Sequence, residues 1–254
     1  MKRTLIAFGD SHTAGAEIDI QYYPECYDKA YPSYIAKHYK FDYENYSVCG
    51  GSNDWMIRQF MLRVQNSLIK NEDLFVLCNF CESTRTYVKL PGKIHHCTSS
   101  HLLQNENTKK ELLVDPDFIE PYRNYLETNS DKFLNYKSLS QIFIMQTICD
   151  QYKIPYIFHT STNWYEGNWS LINKKNFFGH HDSHRTIYGK SQALKMFSKY
   201  SYWGMAIHHP DWMHIRRDPR WSMHYPEEYH EFWGKTLIDF IDSQEILDIA
   251  PNLQ

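Results

Sequence analysis

Three groups of residues in this chain have types and spacing that could do chemistry. The first is "AFGDSHTAG", 7–15, where Ser11 follows a short apolar run and precedes a turn. A serine just past the carboxyl end of a first strand lies at the mouth of an open α/β sheet, where such folds place reactive groups. Given a base and oxyanion donors, its hydroxyl would attack a carbonyl and form an acyl-enzyme. The plainer alternative is a strand-ending turn in which Asp10 or Ser11 caps the next helix. The stretch is not a Gly-x-Ser-x-Gly elbow, because Thr13 stands where the last glycine would be. The second group is Cys78-x-x-Cys81 with His95, His96 and Cys97, and the third is "HHDSH", 180–184, with His180 and His184 four apart. Either could hold zinc. The second group lacks another ligand pair at finger-like spacing and reads as buried thiols, and the third reads as surface histidines in a polar loop, so neither a metal nor a cofactor is expected.

To present Ser11 the chain must first build a sheet. Strand-like runs recur at 4–8 (TLIAF), 43–48 (YENYSV), 73–78 (DLFVLC) and 155–160 (PYIFHT). Between the second and third, "NDWMIRQFMLRVQNSLIK" spaces Met56, Phe60, Val64 and Leu68 at four-residue steps, the mark of an amphipathic helix. A second long helix is expected over 131–152, with Leu139, Ile142 and Phe143 on one side. A last helix is expected near 227–242, where Tyr229, Trp233, Leu237, Phe240 and Ile241 share a face. This alternation predicts an α/β fold, a three-layer α/β/α sandwich around a mostly parallel, flavodoxin-like sheet. Residues 86–130 read as a polar, irregular excursion. Residues 160–222, with five of the seven Trp, read as an insertion over one end of the sheet. The whole chain, 1–254, is expected to form a single domain.

Composition narrows the partners. With 27 Lys and Arg against 30 Asp and Glu, the net charge of −3 offers no electrostatic case for nucleic acid or an anionic membrane. The run Thr4 to Phe8 is too short for a secretory signal, and no apolar stretch approaches the roughly 18 residues of a membrane span. Six scattered Cys suit reduced thiols, so a soluble cytoplasmic protein is expected, its oligomeric state left open.

Three blocks stand in order along the chain: "FGDSHTAG" after the first strand, "NYSVCGGSND" at 45–54, and "HYPEEYHEFWGKTLIDFI" at 224–241. Together they resemble the SGNH, or GDSL, hydrolase family. The resemblance implies that Ser11 is the nucleophile, that Gly50 and Ser11 supply oxyanion-hole amides, and that His224 is the general base. After its third strand the family has Gly-x-Asn-Asp, whereas this chain has "LCNFCESTR", 77–85. Asn79 is the asparagine there, about two residues out of register, and the resemblance carries it into the oxyanion hole. The family's acid would fall on Trp221 or Ser222, neither of them acidic. Either Asp218 or a backbone carbonyl would then orient His224. "DWMH", 211–214, is a literal Asp-x-x-His, which makes Asp211 and His214 a rival pair. His224 is favoured because Pro226, a second histidine at 230 and an amphipathic helix follow it. "GDSHT" and "GGSND" are similar in flavour to family members encoded by bacteriophages, for which a place in the virion is an added expectation.

The implied activity is ester hydrolysis by a serine esterase. The aromatic insertion motivates an acetyl or other short acyl ester of a carbohydrate as substrate, because aromatic rings can stack on sugars. Two other readings stay open. One is a catalytically degenerate binding or virion-associated module that kept the fold, and the other is a carbohydrate O-acyltransferase in which a sugar hydroxyl replaces water.

Overall fold

The computed structural model describes residues 2–16, 18, 26–91, 93–97, 116–161, 169–178, 202 and 224–248. Its centre is a four-stranded sheet of β1 (Thr4–Phe8), β2 (Asp42–Asn45), β3 (Leu74–Phe80) and β6 (Tyr156–Thr160), in the order β2-β1-β3-β6. All three pairings are parallel, with Phe8 level with Cys78 and Phe80 level with Thr160. The strand ends that carry Asn45, Phe8, Phe80 and Thr160 therefore open on one edge of the sheet.

Alternation along β1 sorts two cores. Leu5 and Ala7 face one side, with Tyr31 and Ile35 of α2 (Tyr31–Tyr39) and with Trp233, Leu237 and Ile241 of α6 (Glu227–Ser243). Ile6 and Phe8 face the other, with Met56, Phe60 and Val64 of α3 (Asn53–Lys70) and with Leu139, Ile142 and Met145 of α5 (Asp131–Gln151). Side chains of successive strand residues point to opposite faces, so a sheet covered on both sides must be apolar throughout. Every residue of β3 is buried, as that requires. The result is the three-layer, mostly parallel α/β/α arrangement expected from the alternation.

Some of the expected detail is different. Leu68 lies at the exposed edge of α3, and Ser67 is buried in its place. Four-residue steps overshoot the 3.6-residue turn by about 40° each, so the buried stripe drifts back toward residue 67 by the last turn. On α5, Phe143 is likewise exposed, and the inward face runs through Leu139, Ile142, Met145 and Cys149. Residues 86–130 contain regular structure: an antiparallel hairpin of β4 (Thr86–Leu90) and β5 (Lys93–Cys97), then α4 (Ile119–Thr128). Tyr122 of α4 is buried and donates to the Thr84 carbonyl at 3.1 Å, so this segment packs against the chain leaving β3. No helix among the described residues is long and apolar enough to cross a membrane.

Candidate active site

Ser11 opens α1 (Ser11–Ala14), a single helical turn directly after β1. Asp10 is its N-cap, with Oδ1 accepting from the His12 amide at 3.1 Å and the backbone carbonyl accepting from Thr13 and Ala14 at 3.1 and 3.0 Å. The amides of a first helical turn have no intrahelical acceptor, and here Asp10 takes all but one. Among the described residues, the amide of Ser11 and its hydroxyl make no hydrogen bond. The capping turn and the presented serine are thus one structure rather than alternatives.

The 45–54 block comes in beside it. Val48 donates to the Gly9 carbonyl at 3.4 Å, and Gly51 donates to Val48 at 2.9 Å, closing a turn over residues 48–51. Gly50 takes φ +70° in that turn, a left-handed conformation that side chains disfavour. A Cβ on Gly51 would lie 2.8 Å from the Gly9 carbonyl oxygen, so the two loops touch backbone to backbone. The Gly50 amide, like that of Ser11, makes no hydrogen bond among the described residues. Ser52 then caps α3, accepting from Trp55 at 3.3 Å. Asn53 grips the end of β3, accepting from the Cys81 amide at 3.0 Å and donating to its carbonyl at 3.2 Å.

Asn79 lies on β3 beneath the serine turn and is 1% exposed. Its Nδ2 donates to Asp10 Oδ1 at 3.2 Å and to Thr13 Oγ1 at 2.9 Å, which uses both amide protons. Charge fixes this orientation, since the reversed amide would set an oxygen against the Asp10 carboxylate. From Thr13 the protons have one consistent direction. Thr13 gives its own to Tyr31 Oη at 3.0 Å, Tyr31 donates to His159 Nε2 at 2.9 Å, and His159 Nδ1 faces the Thr160 carbonyl at 3.4 Å. Burial pushes the His159 imidazole down to about 3, so the ring is neutral and can accept.

Arg85 closes the other side of Asp10. Its Nη1 donates to Asp10 Oδ2 at 3.3 Å, and its Nε pairs with Glu82. Burial drives the Asp10 carboxyl above its ordinary range, and the guanidinium opposes that shift. Burial also works against the Arg85 charge, but Glu82 and Asp10 outweigh it and keep the guanidinium protonated.

His224 stands just before α6, and its ring centroid is 4.9 Å from that of His12, the residue following the nucleophile candidate. The structure therefore brings Ser11, Gly50, Asn79 and His224 to one edge of the sheet. No hydrogen bond joins Ser11 to His224 among the described residues, an arrangement common before substrate binds. Asp211, His214, Asp218, Trp221 and Ser222 lie outside the described residues, as do His180 and His184. Cys78 and Cys81 are buried, with thiols pushed well up by burial. No group of three or more His, Cys, Asp or Glu that could hold a metal occurs among the described residues.

Sequence reasoning missed Asp10 as a charged brace, Arg85, Tyr31, His159 and His12. Only His230 left a trace, as the second histidine of the last block. It accepts from the Tyr31 amide at Nδ1, 3.2 Å, so its proton sits on Nε2, which faces Tyr202 Oη at 3.1 Å. This ties α6 to the start of α2.

No family model matches the sequence, and neither does any curated protein. Among solved structures, the chain is similar to a GDSL-like lipase from Bacteroides thetaiotaomicron, with 12% identity over 94% of this chain and 88% of that one, and a TM-score of 0.42. It is also similar to a psychrotrophic esterase from Pseudoalteromonas, with 8% identity over 94% and 97% and a TM-score of 0.42. An acetyl xylan esterase from the rumen bacterium Butyrivibrio proteoclasticus shares 12% identity over 96% of this chain and 64% of its own, with a TM-score of 0.44.

Proposed function

We propose that this chain is a serine esterase or deacylase that hydrolyses a short acyl ester through an acyl-enzyme on Ser11. The observation that carries the reading is that the amides of Ser11 and Gly50, on two loops that touch backbone to backbone, make no hydrogen bond among the described residues, and the Ser11 hydroxyl is likewise unengaged there. Idle donors fixed in place before charge develops are what an oxyanion hole consists of. His224 takes the Ser11 proton as Oγ attacks the ester carbonyl carbon, and the oxyanion forms against the two amides. Collapse breaks the acyl–oxygen bond, and His224 returns the proton to the departing alcohol. Water, deprotonated by the same imidazole, then attacks the acyl-enzyme and releases the acid.

Asn79 has a different part in this reading. With both amide protons spent on Asp10 and Thr13, it braces the nucleophile turn from below, and the oxyanion relies on backbone. For the substrate we propose an acetyl or similar ester of a carbohydrate. The β4–β5 hairpin sets Tyr87 and His96 edge-on to Trp55, 5.7 and 5.2 Å away, on the first turn of α3 beside the Gly50 turn. That makes an aromatic wall of the kind on which sugar rings can stack.

Turnover of a short activated ester tests the assignment. Ser11→Ala and His224→Ala are each expected to lower kcat by at least about 10³-fold, while His214→Ala leaves it within a few-fold. Loss only in the His214 variant would move the base. Equal rates in all three would leave the scaffold as a binding module.

A further inference from the structure

We propose that the outer face of α5 is a self-complementary surface on which a second copy of this chain docks, α5 antiparallel to α5 about a two-fold axis. An exposed helix face ordinarily carries charge, and this one does not. From 138 to 149 the helix has no Asp, Glu, Lys or Arg. Its inward side fills the core, and its outward residues are Phe133, Tyr136, Ser140, Phe143, Ile144 and Thr147, the four large ones between 39% and 53% exposed. α3 extends the face. Asp54 accepts from Lys137 and Gln141 of α5 at 2.6 and 2.7 Å, which fixes the side of α3 that adjoins α5. Met61 stands two turns further along that side with Leu62 next to it, 48% and 51% exposed.

Spacing selects the occupant. Residues 133, 136, 140, 143, 147 and 150 advance by three and four in turn, the step that lets one helix lie along another. Turned end for end on itself, this stripe sets Tyr136 against the partner's Thr147 and Ser140 against the partner's Phe143, a large side chain opposite a small one each time. Two-fold symmetry makes each pairing occur twice. Lys132 comes level with the partner's Asp150 at either end, so opposite charges close a rim around an apolar centre. Burying the small residues strands no donor, because Ser140 Oγ donates to the Tyr136 carbonyl at 2.9 Å and Thr147 Oγ1 to the Phe143 carbonyl at 2.8 Å. At about 200 Å² for each large side chain when fully exposed, the six named on α5 and α3 leave about 550 Å² in water. Lys132, Ser140, Thr147 and Asp150 supply the rest of the roughly 800 Å² per partner that a stable pair buries.

Sedimentation equilibrium of the full chain tests this, and the result does not depend on ester turnover. Wild-type protein is expected at twice the chain mass at concentrations of about 50 µM. Ser140→Arg sets a long charged side chain against the partner's Phe143, and Phe143→Lys removes the ring that fills the space beside Ser140. Each is expected to weaken dimerisation at least about 100-fold. Both positions face solvent in the single chain, so circular dichroism and the melting temperature should stay near wild type. Lys235→Glu, a charge reversal on α6 across the sheet, should leave the dimer intact. A wild-type monomer at that concentration, or a dimer that survives both α5 substitutions, would overturn the proposal.

Discussion

At the scale of the residue, the nucleophile candidate depends most on Asp10. It caps the turn through one carboxylate oxygen and meets Arg85 through the other, with Asn79 bonded to it from β3. Removing one partner of a buried ion pair costs about 3–5 kcal/mol, because the other charge is stranded. Asp10→Ala is therefore expected to lose stability of that order in urea denaturation. Asp10→Asn, which keeps a capping oxygen, should lose less, about 1–3 kcal/mol. A loss under about 0.5 kcal/mol for the alanine variant would show that the pair is not the brace described. Ser11 was legible in sequence because its place after β1 is local. Arg85 was not, because its meaning comes from a contact with a residue 75 positions away. Asn79 was legible as a residue near the site, but its task was not, since only the structure shows where its two protons go.

Elements bring together the two loops that carry the Ser11 and Gly50 amides. Val48 and Gly51 close the turn that carries Gly50, and Gly51 rests on the Gly9 carbonyl at the end of β1. A methyl at Gly51 would meet that oxygen at 2.8 Å and the Val48 carbonyl at 2.9 Å, both backbone atoms that can yield only by parting the loops. Gly51→Ala is expected to lower kcat by about 10²-fold, the scale of losing one oxyanion donor, while costing only about 1–3 kcal/mol in stability. Wild-type kcat would mean that the Gly50 amide does not serve the reaction. The helix that follows was readable from end to end, 53–70, because Ser52 is a capping residue and the apolar spacing is regular. Leu68 and Phe143 depart from expectation because short lists of apolar positions do not register the drift of the buried stripe. The β4–β5 hairpin escaped notice because its strands, TYVKL and KIHHC, are too polar to announce themselves, although a Pro-Gly pair lies between them.

Across the whole molecule, a polar layer lies between the sheet and the α2–α6 side, and its histidines are neutral. His159 and His230 are both pushed down to about 3 by burial, whereas an unfolded histidine titrates near 6.5. Between those values the unfolded chain binds protons that the folded chain refuses. Stability from these groups is complete above about pH 6.5 and is lost as pH falls toward 3, by up to about 1.4 kcal/mol per pH unit for each histidine. Asp10 works in the opposite sense, since its folded carboxyl is raised, so the comparison must be between variants. His159→Gln, which can still accept from Tyr31, is expected to flatten the slope of unfolding free energy between pH 4 and 6.5. An unchanged slope would contradict the neutral, buried assignment. The parallel sheet and its two helical layers were legible because alternation of apolar strands and amphipathic helices is a property of the chain read in order. The histidine layer was not, because it joins residues 13, 31, 159, 202 and 230 only after the sheet has formed.

The central claim is that Ser11 is a nucleophile served by its surroundings. A fluorophosphonate forms a covalent bond with an activated serine and not with an ordinary one, so intact-mass and peptide analysis after incubation reads the claim directly. The expected result is one adduct per chain, on the peptide containing Ser11, and none with Ser11→Ala. Wild-type protein that remains unlabelled, or labelling that persists in Ser11→Ala, would contradict it.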